Sequence, residues 1–458
     1  MKEEPILHEI LFENLGPIKY LQIEVKDYLF LIGQQATGKS TISKLIYFFR
    51  TIKDEMYRHF SEAMKKLPDY NESVIPDLHN DFVKRITRKF HDIYGHTYLA
   101  GDMNILYVYS KTTYRNNNKY TENISIVITL ETQTNKNTVS ILDIQMSHPL
   151  EYAYFQLYDK TILNKKKIRL IDEKLTNSLS DVDIAMLNEE KERYFRELKV
   201  ELNKLFNDDT TVIYIPAGRT MATVFADLMD KEDIKRKDLL TGNFIERIKR
   251  FRFFHSQVMK ENIEGTHPHT KAIDMMKEIL KADYVYENDE DRLYIGKDKY
   301  VEIQFASSGQ QESLWILLTL YKILLDEQKV LFIVEEPEAH LYPIAQRKLV
   351  EFISFVMKAT NSQMIITTHS PYILTSLNNL IFANNIAQKT DKESEVSAIV
   401  DKDMWIDIDK VGVFELEDGV CTDIVDREVN FIKAEAIDKA SDEIEDDYEK
   451  LFKIKKII

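Results

Sequence analysis

Apolar and polar positions change rhythm several times along the chain, and each change marks an element. Residues 6 to 32 fall into three short blocks, ILHEILFENLG, IKYLQIEV and YLFLIG, with Gly16-Pro17 as a turn signal, which predicts strand, turn, strand, strand. Between Arg50 and about Tyr94 the spacing is helical among mixed charges. From Thr97 to Met146, TYLAGDMNILYVYS, NISIVITLET and TVSILDIQMS alternate apolar and polar residues around the polar RNNNKY and QTNKN stretches, which predicts an antiparallel meander. Helical spacing returns over 150–208, where LNEEKERYFRELKVELNKLF reads as a long exposed helix, an arm or an ordinary surface element. A buried strand follows at Val212 to Ile215, broken by Pro216; residues 220–283 look helical, and 284–305 suggest a small hairpin. SSGQQESLWILLTLYKILL then opens a strongly apolar helix, with Ser308 and Gln311 fitting a capping box. Two further apolar strands, Val330 to Val334 and Met364 to Thr367, have the look of strands buried on both faces. SAIVDKDMWIDIDKVGVFELEDGVCTDIVDRE reads as strands, and Ala434 to Leu451 as an acidic helix.

Composition narrows the class. A chain of 458 residues, 44% hydrophobic and 30% charged, has enough apolar material for one large core or two domains. A net charge of −15 opposes uniform coating of nucleic acid, so any such contact must be a local basic patch. Cys421 stands alone, which excludes an intrachain disulfide and suits a reducing compartment. The start MKEEPILHE is acidic, and the longest apolar run, LWILLTLYKILL, is too short to cross a bilayer. Both point to a cytoplasmic protein with no membrane contact.

Chemistry concentrates at three strand ends. Gly33, Gly38, Lys39 and Ser40 match G-x-x-x-x-G-K-[ST] between an apolar strand and the helix TISKLIYFF, with Gln34, Gln35, Ala36 and Thr37 inside the loop and Thr41 after it. Backbone N–H groups of such a loop cradle a β-phosphate at a positive helix end, a lysine neutralises the β and γ groups, and the serine hydroxyl reaches Mg²⁺. Glu335 and Glu336 follow the strand Val330–Val334. Two adjacent carboxylates there imply a cation, with one holding Mg²⁺ and the other orienting an attacking water. His369 and Ser370 sit at the tip of the next apolar strand. Strand ends of one parallel sheet converge on one crevice, so Glu335, Glu336 and His369 are expected to face a common ligand; for either stretch alone, solvated loop residues are an even alternative.

The remaining candidates divide between chemistry and plain structure. Arg219, beside a strand tip, suits a phosphate or partner-subunit sensor and equally a salt bridge that pins its loop. Lys84, Arg85, Arg88 and Lys89 read as a solvated helix face. Lys235, Arg236, Lys237, Arg247, Lys249, Arg250 and Arg252 form the best candidate patch for nucleic acid or an acidic partner. His267-Pro268-His269 lacks further ligands at metal spacing and reads as a polar loop.

The combination resembles the ABC-type ATPase heads of the SMC, RecF and OLD lineage over nearly the whole chain. Ser307 to Glu312 (SSGQQE) looks like the signature motif, FIVEEPEAHLYP like the Walker B, catalytic-glutamate and D-loop run, and TTHSP like the switch histidine. The fold this implies is an α/β ABC-ATPase head, a P-loop NTPase, with an antiparallel β subdomain and a helical lobe. Its pieces would be 1–50 (strands, P-loop and first helix), 51–210 (an inserted meander with charged helices), 211–305 (a strand and helical lobe), 306–385 (signature, Walker B and switch) and 386–458 (closing strands and acidic helix). The implied activity is hydrolysis of ATP with Mg²⁺. By the resemblance Lys39 and the Gly33–Thr41 loop hold the phosphates, Ser40 and Glu335 the metal, Glu336 is the base or water-orienting group, and His369 contacts the γ-phosphate. Ser307, Ser308, Gly309 and Gln310 would meet ATP on a facing protomer, giving a head-to-tail dimer or a higher assembly of dimers. The EEPEAHL and THSP forms are similar to those of stand-alone bacterial ATPases such as the subunits of the PARIS and Septu anti-phage systems. That implies a sensor or scaffold working with a separately encoded effector, a nuclease, with DNA or a phage protein as a further contact. The alternative is a RecF-type or SMC-type DNA-binding ATPase of repair or chromosome maintenance. The chain departs from the pattern at Gln35-Ala36, where many members have Asn-Gly, and at Glu335, where aspartate is usual; Ala217 to Arg219 occupies the place of the Q-loop without a glutamine.

Overall fold

The computed structural model describes residues 8–66, 78–95, 102–116, 118–133, 139–175, 181–220, 238–258, 267–297, 299–433, 447 and 450–451. They fall into two compact units, one of Met1–Val25 with Lys44–Asp209 and one of Lys26–Ser43 with Thr210–Ile458.

The first unit is built on an antiparallel sheet. Strands β1 (His8–Leu15) and β2 (Ile18–Val25) form a hairpin, β1 pairs with β4 (Met103–Asn116), and β5 (Asn118–Gln133) and β6 (Val139–Met146) complete the predicted meander. Alternation along β1 leaves Ile10 and Phe12 fully buried on one face. Among the described residues four helices belong here: the part of α1 (Lys39–Lys66) from Lys44 onward, α2 (Leu78–Tyr94), α3 (His148–Leu175) and α4 (Asp181–Leu205). The last two pack together, with Thr161 and Tyr194 hydroxyls 2.7 Å apart. Tyr107 stacks on Phe49 at 4.6 Å between ring centroids. Buried charges are matched: Arg50 grips Asp208 through Nε and Nη2 at 2.8 and 3.0 Å. The solvated face expected at Lys84–Lys89 is only partly solvated, because Lys89 is buried and donates to Glu55 at 2.8 Å.

The second unit is α/β, with a mixed sheet in the order β14-β13-β3-β12-β11-β7. Five strands run parallel: β3 (Tyr28–Gly33), β7 (Thr211–Ile215), β11 (Val330–Glu335), β12 (Gln363–Thr368) and β13 (Val411–Glu417); β14 (Val420–Asp423) is antiparallel. The near-continuous apolar runs follow from burial on both faces, and Val330 to Val334 are wholly buried. Among the described residues the unit's helices are α5 (Leu239–Val258), α6 (His267–Leu280), α7 (Ser308–Leu325), α8 (Pro343–Ala359), α9 (Pro371–Lys389) and the short α10 (Glu393–Ser397). Pro343 and Pro371 stand in the first turns of α8 and α9, where a missing N–H costs nothing. Trp315, Phe332, Phe352 and Leu377 are among the side chains that fill the core.

Three local expectations change. Residues 283–302 form three antiparallel strands, β8 (Asp283–Glu287), β9 (Glu290–Gly296) and β10 (Lys299–Glu302), in place of a two-stranded hairpin. His267-Pro268-His269 is the first turn of α6, where Pro268 is tolerated for the same reason as the other helix-start prolines. The stretch from Ser397 to Lys410 is not strand: Asp401 and Asp407 cap two short 3₁₀ turns, competing with sheet pairing, and strands begin only at Val411. Most of the predicted acidic helix Ala434–Leu451 lies outside the described residues. Among the described residues no helix is long and apolar enough to cross a membrane.

Candidate active site

The C-terminal ends of β3, β12, β11 and β7 bring the site together, all within the second unit. After β3 the chain turns through a loop with positive φ at Gly33 (150°), Ala36 (61°) and Gly38 (105°) before entering α1 at Lys39. A Cβ on Gly33 would lie 2.4 Å from the carbonyl oxygen of Leu416 on β13, so only glycine fits. Ala36 holds a left-handed conformation that an L-residue adopts at a cost of about 1–2 kcal/mol, and glycine would hold it more cheaply. Gln34, Gln35, Ala36 and Ser40 are exposed, Thr37 donates to the carbonyl of Gln34 at 2.9 Å, and Gly38, Lys39 and Thr41 are buried.

Lys39 Nζ donates to the carbonyls of Gly33 and Gln34 at 2.8 and 2.7 Å. Its third neighbour is Nδ1 of His369, at 3.4 Å. Burial lowers the Lys39 pKa to about 8, against the opposing pull of the Glu336, Glu338 and Glu335 carboxylates. His369 bonds through Nε2 to Oε1 of Glu336 at 2.9 Å. With Nε2 facing a carboxylate and Nδ1 facing an ammonium, the geometry suits an imidazole that donates from Nε2 and accepts at Nδ1.

Glu335 closes β11 and is buried. Its Oε1 accepts from Ser43 of α1 at 3.3 Å and its Oε2 from the backbone N of Ala217 at 3.2 Å. Glu336 leaves the strand with a φ of 43°, and its N donates to the Thr367 carbonyl of β12 at 2.9 Å. Glu338 was not singled out in the sequence, although it is the third carboxylate of the EEPE run. Its Oε1 accepts from Thr368 Oγ1 at 2.6 Å and from the backbone N of His369 at 2.7 Å.

Of the two roles open to Arg219, the geometry matches the loop pin. The side chain is almost wholly buried and donates to the carbonyls of Glu312, Pro216, Glu335 and Glu336 at 3.0, 3.0, 2.6 and 2.9 Å. Burial lowers its pKa, with the Glu312 carboxylate, 3.0 Å from Nε, opposing. The carboxylate of Glu312 also accepts from Thr220 N and Oγ1. A guanidinium with these partners is spoken for, and the segment Ala217–Arg219 serves the end of β11 through the Ala217 N–H on the Glu335 carboxylate and the Arg219 side chain on the Glu335 and Glu336 carbonyls.

The start of α7 is one residue earlier than expected. Ser307, and not Ser308, is the N-cap, and its capping-box partner is Gln310, because Gln311 turns inward and donates to the carbonyls of Gln304 and Ala306. Gln310 also donates to the Leu280 carbonyl at 2.9 Å. Ser307 and Ser308 are exposed. Gly309 lies against the main chain of His340, where a Cβ would come within 2.7 Å of the carbonyl oxygen. Lys39, Glu335, Glu336 and His369 therefore form one cluster, while Ser307–Gln310 is anchored to its own helix, Leu280 and His340.

The basic patch loses members. Arg252 is buried, pairs with Asp291 at 2.5 Å and lies 5.5 Å over the Trp315 ring; Arg250 pairs with Glu246 at 2.6 Å. Lys235, Arg236 and Lys237 lie outside the described residues.

A family model described as AAA ATPase domain matches residues 6–374. A search of the curated proteins finds no match. Among solved structures, an Smc head bound to the C-terminal winged-helix domain of ScpA is similar at 10% identity over 92% of this chain and 97% of that one, with a TM-score of 0.38. An SMC head domain from Thermotoga maritima is similar at 9% identity over 92% and 98%, with a TM-score of 0.34. The recombination mediator protein RecF is similar at 12% identity over 92% and 99%, with a TM-score of 0.27. Residues 6–374 take in the glycine-rich loop, both glutamates at the end of β11 and His369, and the chain belongs to the family of that model, the AAA ATPase domain, and is an ATPase.

Proposed function

We propose that two copies of this ATPase, an ABC-type head, enclose ATP head to tail, the Gly33–Thr41 loop of one copy facing Ser307–Gln310 of the other, and that hydrolysis loosens the pair. The observation that carries this is the exposure of the capped tip of α7. Lys39, Glu336 and His369 share one set of strand ends, while the capped tip of α7 presents Ser307 and Ser308 to solvent. A helix N-terminus with exposed serines and a closely packed glycine suits phosphate oxygens brought by another molecule.

Within one copy, Lys39 neutralises phosphate charge, Glu336 orients the attacking water, and His369 meets the γ-phosphate while its Nε2–H keeps the Glu336 carboxylate aligned. Ser40 and Glu335 would hold Mg²⁺, which when bound supplies charge neutralisation between phosphate oxygens. The donor set fits that ion: both are hard oxygen ligands, and among the described residues each Glu335 oxygen accepts one hydrogen bond, which leaves lone pairs for a metal. Among the described residues no cluster of three or more Asp, Glu, His or Cys could hold a metal alone.

The assembly state is the output, and a separately encoded effector reads it in the cytoplasm. A nuclease in anti-phage defence is the partner we infer, supported by the EEPEAHL and THSP motif forms. A RecF-type role on duplex DNA has less support, since Arg252 is buried against Asp291.

Mass measurement with Glu336→Gln tests the proposal. The variant is expected to bind ATP, hydrolyse it at least about a hundredfold more slowly and accumulate the ATP-dependent assembly. Full turnover would reject the role of Glu336, and a mass that stays monomeric with saturating ATP would reject the composite site.

A further inference from the structure

We infer that Glu338 is a positioning residue for ATP hydrolysis, which acts by holding the main chain of His369 so that the imidazole meets Glu336. The inference rests on the roles proposed above for Glu336 and His369. Pro337 separates the two glutamates, and successive turns, Ala339 N to Glu336 O at 3.1 Å and Leu341 N to Glu338 O at 2.9 Å, fold Glu338 back toward β12. There its Oε1 takes both the His369 N–H and the Thr368 hydroxyl. Thr368 Oγ1 in turn accepts from Ser370 N at 2.9 Å, and Ser370 caps α9 and donates to Gln346 at 2.5 Å. One carboxylate oxygen therefore organises the main chain at and on both sides of the histidine. The ring has a partner of its own in Glu336, at 2.9 Å, so two carboxylates from one short segment hold His369, Glu338 at the backbone and Glu336 at the imidazole.

The second oxygen, Oε2, is buried and has no hydrogen-bond partner among the described residues. A buried unmade bond is unfavourable, and a surface-seeking glutamate would not be held in this place unless Oε1 were needed. It follows that the acceptor at Oε1 carries the role. Glutamine supplies that acceptor and alanine does not. Misplacing a reacting group by about 1 Å costs on the order of a hundredfold in rate, whereas substrate binding rests mainly on Lys39 and the glycine-rich loop, to which Glu338 makes no hydrogen bond among the described residues.

Steady-state ATPase kinetics on the full chain with Glu338→Ala, Glu338→Gln, His369→Ala and the Glu338→Ala/His369→Ala double variant decide the matter. Expected are a kcat reduced about 30–100-fold in Glu338→Ala with KM within about twofold, a loss of no more than about threefold in Glu338→Gln, and a double variant no slower than His369→Ala. Should Glu338→Ala not fold, Thr368→Val loosens the same contact and is expected to lower kcat about three- to tenfold, again with KM kept. An effect on KM alone, a glutamine variant as slow as alanine, or additive losses in the double variant would each overturn the inference. A Glu338→Ala enzyme at the parent rate beside a slow His369→Ala rejects only the role of Glu338. His369→Ala at the parent rate rejects the role of the histidine as well.

Discussion

Arg219 donates from Nη2 to the main-chain carbonyl of Glu336 at 2.9 Å, so a buried guanidinium holds a residue whose φ is 43°. Left-handed backbone at a glutamate persists only where its surroundings impose it. Here Nη1 takes the carbonyls of Pro216 and Glu335, Nε takes that of Glu312, and the Glu312 carboxylate returns the charge. The contact ties α7, whose tip carries Ser307 and Ser308, to the strand end that carries the paired glutamates.

Arg219→Lys keeps the charge and loses the planar fork, and one ammonium cannot serve four separated carbonyls. With at least one buried acceptor left unpaired, the expected cost is about 1–3 kcal/mol in urea unfolding. Turnover should fall about tenfold or more while ATP affinity holds, because Glu336 and not the phosphate loop is released. Wild-type stability and turnover in this variant would show that the clamp is dispensable.

Lys39→Ala should act on binding. Lys39 contacts loop carbonyls and His369, and one charge-assisted hydrogen bond is worth about 1.5–3 kcal/mol, so ATP affinity is expected to fall roughly tenfold to over a hundredfold. Calorimetric titration with a non-hydrolysable analogue checks it; unchanged affinity would remove Lys39 from the site.

Much of this site is legible in the sequence because its strands are buried on both faces. Val330–Val334 and Met364–Thr367 read as such strands, and the residues that follow them are then obliged to sit at strand ends, where the structure finds Glu335, Glu336 and His369. The loop between β3 and α1 announces itself because Gly33 and Gly38 satisfy backbone demands no other residue meets as cheaply. What is not legible depends on burial of charge. Arg252 and Lys89 look like solvated cations until Asp291 and Glu55 are seen across from them, and Arg219 reads equally as sensor or pin until its carbonyl partners appear. Glu338 hides for the converse reason: its partners are a hydroxyl and a main-chain N–H thirty residues on, which no local spacing marks. The capping box slips by one because SSGQQ offers two serine–glutamine pairs with identical separation, and only the inward turn of Gln311 chooses between them.

The two closely packed glycines should separate folding from assembly. Gly33→Ala places a Cβ 2.4 Å from a β13 carbonyl on a backbone with φ of 150°, so the sheet itself must give, and loss of the folded second unit or several degrees of thermal midpoint is expected. Gly309→Ala meets only the His340 carbonyl at 2.7 Å, at the exposed start of α7. The main chain at His340 must shift to admit it, so a drop of a few degrees in the midpoint, smaller than in Gly33→Ala, is expected together with loss of the ATP-dependent change in mass. An unchanged assembly in Gly309→Ala would count against the role of that helix tip.

Acid should unfold the first unit through His8. Its Nε2 donates to the Asn207 carbonyl at 3.3 Å, so Nδ1 accepts from the Tyr107 hydroxyl at 2.9 Å and the buried ring is neutral. Burial, and then the positive charge of Arg50, lower its pKa to about 3 from an ordinary 6.5. Between those values the unfolded chain binds a proton that the folded chain refuses, so stability is full above pH 6.5 and is lost as pH falls toward 3. One proton sets the slope at no more than about 1.4 kcal/mol per pH unit. Asp208 adds loss in the same direction at lower pH: burial alone would raise its pKa, but Arg50 and Lys53 hold it below the carboxylate range, and protonation removes that pairing. His8→Gln keeps both hydrogen bonds, with Oε1 toward Tyr107 and the amide toward Asn207, and has no proton to take up. Urea unfolding followed from pH 7 to 4.5 should therefore fall less steeply in the variant than in the parent. Parallel profiles would mean that His8 is already charged in the folded protein or does not govern the acid limb.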